Sequence, residues 1–129
     1  MEARDFRIGN YIYDFETSKC CKIEQICVYS KDSLNQNLGV RYRNGSFWTA
    51  INYVEPIQLT EEILLKCGGT YKNYGYGDSQ WKQWNINGLS FNQNRNGIDF
   101  TYCELTIYHL HTLQNLYFSL KGEELTIKL

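Results

Sequence analysis

The sequence predicts an α+β chain that is mostly β. An SH3-like small barrel with a short helix is expected over residues 1–68. An antiparallel meander with a C-terminal helix and an edge strand is expected over 69–129, the two packed as one compact unit. Three observations predict this. Aromatic residues make up 16% of the chain and eleven of them are Tyr, a composition suited to strands and contact surfaces. Asn-Gly recurs at 44–45, 87–88 and 96–97, each between stretches that alternate apolar and polar residues. Only two stretches, near residues 60 and 115, carry helical spacing and helix stops. A chain of 129 residues can bury a core without metals or disulfides.

The elements follow in order. Arg7-Ile8-Gly9-Asn10 leads into YIYDF, then KCCKIEQICVYS, where Ile23, Gln25 and Cys27 alternate with Lys22, Glu24 and Ile26. Val40 and Tyr42 alternate with Arg41 and Arg43, and Arg43-Asn44-Gly45-Ser46 signals a tight hairpin, so the flanking strands must pair. Pro56 ends this run of four or five strands. Thr60 is then a good N-cap, Glu61 and Glu62 sit where the helix dipole favours anions, and Gly68 suits a left-handed stop, predicting one short helix. The stretch 68–77, GGTYKNYGYG, is expected to be a connecting or mobile loop. Asn87-Gly88 predicts a second hairpin. Ile98 to Tyr108 is expected to be one long strand, bulged near Cys103 where the alternation slips, giving a meander of about three strands. Leu113, Leu116, Tyr117 and Leu120 recur at helical spacing and Gly122 stops the pattern, so 112–121 is a helix with one apolar stripe on the sheet. Leu125, Ile127 and Leu129 alternate with polar residues, predicting a terminal edge strand through which the chain could pair with a second copy.

Charge excludes some functions. With 13 Lys+Arg against 14 Asp+Glu the net charge is -1, so no overall field draws the chain to nucleic acid or an anionic membrane. A local basic patch around Arg41, Arg43 and Lys72 is compatible with that balance. No apolar run approaches the roughly 18 residues of a membrane span, and MEARDFRIG lacks the apolar core of a signal peptide, so a cytoplasmic protein is expected.

Little catalytic chemistry is legible. The five cysteines, Cys20, Cys21, Cys27, Cys67 and Cys103, lack the spacing of zinc knuckles or redox pairs and read as reduced, mostly buried thiols, with no metal and no cofactor expected. His109 and His111 would share one strand face as a base or ligand pair; capping and packing account for them more simply, because no nucleophile signature accompanies them. Glu61-Glu62 and Glu123-Glu124 lie at helix ends, and no phosphate-binding glycine loop occurs. The reading is of a protein that is not an enzyme.

Aromatic residues are the richer signal. Phe47 and Trp48 flank a hairpin, Tyr71, Tyr74 and Tyr76 lie in the glycine stretch, and Trp81 and Trp84, three apart, cannot share a strand face, so one should point outward. They serve either as core or as a stacking surface for a planar ligand, with Arg41, Arg43, Lys72 or Lys82 meeting phosphate.

The ending His111-x-Leu113-Gln114-Asn115-Leu116-Tyr117-Phe118-x-Leu120-x-Gly122-Glu123-Glu124-Leu125 resembles that of small uncharacterised proteins encoded by phages, prophages and mobile elements of Bacteroidetes. Arg7-Ile8-Gly9-Asn10-Tyr11-Ile12 and Val54-Glu55-Pro56-Ile57-x-Leu59-Thr60-Glu61-Glu62-Ile63-Leu64 are similar to the same family, with 69–97 the least family-like part. The family offers no assigned catalytic residues. What the resemblance implies is a counter-defence role in a bacterial host, by capping a host protein or sequestering a nucleotide-derived signal.

The first expectation is therefore a binding protein for a small nucleotide-like ligand. Its wall would comprise Arg41, Arg43, Trp48, Tyr74, Tyr76, Trp81 and Trp84, with His111, Gln114 and Asn115 supplying a cap and amide hydrogen bonds. Such a protein should enclose its ligand in a pocket. The alternative is an inhibitor or adaptor that caps a host protein, which should show a flat aromatic or apolar patch. A single-stranded nucleic-acid binder is a third reading, against which the net charge speaks.

Overall fold

The computed structural model describes residues 6–14, 19–28, 38–42, 49–50, 54–94 and 99–128. Among these residues the chain is mostly β, with two five-stranded sheets, two α-helices and one short 3-10 turn. It divides into two compact units, Met1–Ile57 and Gln58–Leu129. The short helix near residue 60 falls within the second of these units.

In the first unit, β1 (Tyr11–Asp14), β2 (Lys19–Val28), β3 (Leu38–Tyr42), β4 (Thr49–Ala50) and β5 (Glu55–Pro56) form one antiparallel sheet in the order β4-β3-β2-β1-β5. Among the described residues this sheet is not closed. The strands flanking the expected 43–46 hairpin do pair, Gly39 with Ala50 and Val40 with Thr49, while the turn itself lies outside the described residues. Phe6, Ile12, Cys21, Ile23 and Val54 form the core, with Ile26 packed against it. The alternation expected along 22–27 breaks because the β2–β3 register shifts between Ile23 and Gln25, so Gln25 is exposed and Ile26 turns inward. Arg7-Ile8-Gly9-Asn10 is a turn held by its own side chain. Buried Asn10 Oδ1 accepts from Arg7 N–H at 2.8 Å, and its carbonyl accepts from Ile23 N–H at 2.8 Å.

The second unit opens with helix α1 (Glu61–Lys66). The Thr60 hydroxyl accepts from Ile63 N–H at 3.3 Å, and Gly68 follows at φ +79°, as expected. Its sheet is a meander in the order β10-β9-β8-β7-β6, built from β6 (Thr70–Tyr74), β7 (Trp81–Ile86), β8 (Leu89–Gln93), β9 (Phe100–Tyr102) and β10 (Leu105–Ile107). It has two strands more than expected. The stretch read as a loop contains β6, since Thr and Tyr favour the pleated surface and the glycines lie at its ends. The slip at Cys103 is not a bulge: Cys103 and Glu104 form a two-residue turn between Tyr102 and Leu105, which pair, with Cys103 at φ +55°. The hairpin at Asn87-Gly88 is as expected, with φ +48° and +92°.

Register separates the two faces of this sheet. Trp84, Ile86, Leu89, Phe91, Gln93, Phe100 and Ile107 share the buried face, while Lys72, Gln83, Asn85, Ser90, Asn92 and Thr101 share the other. Helix α2 (Leu110–Lys121) begins before the expected position 112 and ends at Gly122, φ +73°. Its buried stripe is Leu110, Leu113, Gln114 and Tyr117 with His111, so Leu120 is exposed rather than inward. The Asn87 side-chain amide donates to the Tyr117 hydroxyl at 3.0 Å, tying the helix to the hairpin. The expected terminal edge strand is absent: 124–128 joins no ladder, and instead Leu125 is buried and Lys128 N–H donates to the Lys66 carbonyl at 3.0 Å, an acceptor left open by the end of α1.

Candidate functional site

Four of the exposed aromatic residues of the second unit, Tyr71, Tyr74, Tyr76 and Trp81, lie on β6, β7 or the loop between them, while Tyr108 and Phe118 lie elsewhere. Tyr74 and Trp81 are cross-strand partners whose rings stack at 4.8 Å and 20°. The loop between them carries Tyr76, which is 91% exposed. That loop is tight: Gly75 sits at φ +85°, and a Cβ there would lie 2.3 Å from the Ser79 carbonyl oxygen, so only glycine fits. Tyr71, three pairs further along the ladder and on the other face of the sheet, packs against Trp84 at 4.8 Å.

Below this edge lies a charged cluster. Lys82 Nζ donates to Glu61 Oε1 at 2.5 Å and stands 4.5 Å from the centroid of the Tyr71 ring. The hydrogen bond from Lys82 holds the Glu61 carboxyl below its usual range, aided by the charge of Lys82 and by a hydrogen bond with Gln93 and opposed by partial burial. Gln93 in turn accepts from the Trp84 indole N–H at 2.8 Å. The aromatic edge thus stands on a polar chain, Lys82–Glu61–Gln93–Trp84, that links α1, β7 and β8.

Two open hollows, each of about 260 Å³, flank the edge. One is lined by Glu61, Asn73, Gln80, Trp81 and Lys82, the other by Thr70, Tyr71, Lys72, Gln83, Asn85 and Ser90. Each falls short of the roughly 300–1,000 Å³ typical of pockets that enclose a small molecule. What the edge offers is an open surface of aromatic rings and amides.

The residues expected to form a ligand wall divide as follows. Tyr74, Tyr76 and Trp81 come together at this edge. Trp84 is fully buried, and His111 and Gln114 are buried in α2, so burial withholds these three groups from the edge, while Asn115 on α2 is half-buried. His111 is not a cap: the N-cap of α2 is His109, whose ring stacks on His111 at 5.5 Å and 13°. Arg41 lies on β3 of the first unit, opposite Gln25, whereas Arg43 and Trp48 fall outside the described residues. Of the described cysteines, Cys21 and Cys67 are buried but Cys20 and Cys103 are exposed, against the expectation of mostly buried thiols. Burial pushes the Cys67 thiol up to about 12, so it stays protonated and poorly nucleophilic.

Two features were missed in the sequence, and only one of them had no local signal. The Glu61–Lys82 pair joins residues 21 apart in sequence, and nothing near either position announces the other. Strand β6 did carry one, the glycines at 68–69 and 75 bracketing five strand-compatible residues. Among the described residues no group of three or more His, Cys, Asp or Glu side chains could hold a metal ion, and no helix is long and apolar enough to cross a membrane. No family model, curated protein or solved structure matches this chain.

Proposed function

We propose that this chain is a binding protein rather than an enzyme, and that its second unit engages a partner protein through the aromatic edge of Tyr74, Tyr76 and Trp81. The observation that carries the reading is the exposed Tyr74–Trp81 stack, continued by Tyr76, at the margin of an open sheet whose hollows are too small to enclose a ligand. Tyr and Trp are the residues through which interfaces gain most area for least lost freedom. The resemblance of the chain's ending to phage and mobile-element proteins supports a host protein as that partner and the bacterial cytoplasm as the place of action. The strand order of the first unit, with a long β2 whose register shifts midway, supports reading that unit as an SH3-like barrel.

A second reading is favoured by Lys72 and the amides of Gln83 and Asn92 on the same face as the stack: capture of a nucleotide-like ligand, its base on the aromatic rings and its phosphate at Lys72. One experiment separates the two. The wild type and a Tyr76→Ser/Trp81→Ser variant are used to capture proteins from host lysate, and both are screened by thermal shift against nucleotides and cyclic dinucleotides. A protein captured by the wild type and lost by an equally stable variant supports partner binding. A nucleotide that raises only the wild-type melting temperature replaces it with ligand capture, and capture unaffected by the double substitution removes the aromatic edge from the site.

A further inference from the structure

The two margins of the second sheet differ. Beside β10, Gln58 bridges His109 and Leu59 N–H donates to the Tyr108 carbonyl at 2.9 Å, so that margin is flanked by chain. At the other margin β6 pairs with β7 on one side, and all five of its residues are exposed. A strand in this position presents alternate N–H and C=O groups that another extended segment can pair with.

The charge of β6 discriminates among occupants. Lys82 is neutralised by Glu61, whereas Lys72, among the described residues, has no ion-pair partner. The positions that share its face along β6, β7 and β8 (Thr70, Tyr74, Trp81, Gln83, Asn85, Ser90 and Asn92) are all uncharged. A two-fold pairing with a second copy that used the whole of β6 would set Lys72 directly opposite Lys72, and like charges so placed repel. Edge lysines blunt self-association in this way. A segment with a carboxylate at the same position would gain an opposite-charge pair instead.

We propose that β6 is a strand-addition site for an extended segment of a partner protein that places an acidic side chain across from Lys72, beside the Tyr74–Trp81 stack. The inference rests on the partner-binding reading and specifies the chemistry of what docks. An opposite-charge cross-strand pair should be worth about a two- to fivefold preference in affinity.

The test is an NMR titration of the full chain with two blocked synthetic peptides, Thr-Val-Glu-Val-Thr and its counterpart with Lys at the centre. The expected result is that the Glu peptide shifts the β6 backbone amides and the Trp81 indole, binds several-fold tighter than the Lys peptide, and loses that advantage to it when Lys72→Glu is introduced. Equal binding of the two peptides, or a preference unchanged by Lys72→Glu, would overturn the acidic strand while leaving the aromatic edge to be judged by the capture experiment. Absence of any shift at β6, or dimerisation of the free chain through β6, would overturn strand addition itself.

Discussion

Replacing Gln93 by Leu should destabilise the second unit by about 2–3 kcal/mol, even though Leu nearly preserves the volume and adds apolar surface. The Trp84 side chain is fully buried, and its indole N–H is satisfied by Gln93 Oε1 at 2.8 Å. In Gln93→Leu that N–H stays desolvated with no acceptor, a penalty of about 1–3 kcal/mol. The Gln93 hydrogen bond that helps hold Glu61 ionised is lost as well, worth about 0.5–1.5 kcal/mol before solvent screening reduces it. Trp84→Phe removes the donor, so in the double variant Trp84→Phe/Gln93→Leu neither group is left unsatisfied. The double should therefore be more stable than the sum of the singles predicts, by about 1 kcal/mol. Urea unfolding followed by far-ultraviolet circular dichroism measures all four proteins without relying on Trp84 as the probe. A Gln93→Leu protein within about 0.5 kcal/mol of wild type, the range of a neutral surface change, or strict additivity in the cycle, would refute the claim that the indole depends on this acceptor.

Three further outcomes are expected. Cys103 is a non-glycine residue at φ +55° in a two-residue turn, so Cys103→Asn, which tolerates that region, should raise stability by about 0.5–1 kcal/mol and Cys103→Val should lower it, as read by thermal denaturation. Alkylation mapped by mass spectrometry at about pH 8, near an ordinary thiol's pKa, should label exposed Cys20 and Cys103 well before Cys67, whose thiol burial holds near 12; labelling of Cys67 at the same rate would contradict its burial. Because the folded-state pKa of Glu61 is lowered from 4.5, its contribution to stability is present above that value and is lost as pH falls through the folded pKa. The melting temperature of Glu61→Gln should therefore fall less steeply below about pH 4.5 than that of wild type, with the difference shrinking in salt since the pair is partly exposed.

Much of the local structure was legible because its causes are local. Thr60 and the two glutamates start α1, Gly68 and Gly122 end the helices, and Asn87-Gly88 turns a hairpin, all through interactions within a few residues. Errors fell where two local patterns compete. A slip in alternation at Cys103 marks a bulge or a turn equally well, and the cross-strand pairing of Tyr102 with Leu105 decides for the turn. The start of α2 was misplaced for a related reason: Leu110 and Leu113 begin the buried stripe, and which of several helical stripes faces the core is set by the sheet beneath it.

By itself the sequence determined that this protein is mostly β, where its capped helix and its Asn-Gly hairpin lie, and that it has aromatic residues to spare for a surface. Those properties follow from backbone preference, capping and composition, which act over a few residues. Tertiary structure alone decided which aromatics reach that surface. Pairing Tyr74 with Trp81 brought three of the ten expected site residues to one edge, while the same register sent Trp84 inward to Gln93, and the packing of α2 buried His111 and Gln114. Register and helix rotation are fixed by which face excludes water, and that depends on residues far apart in the chain.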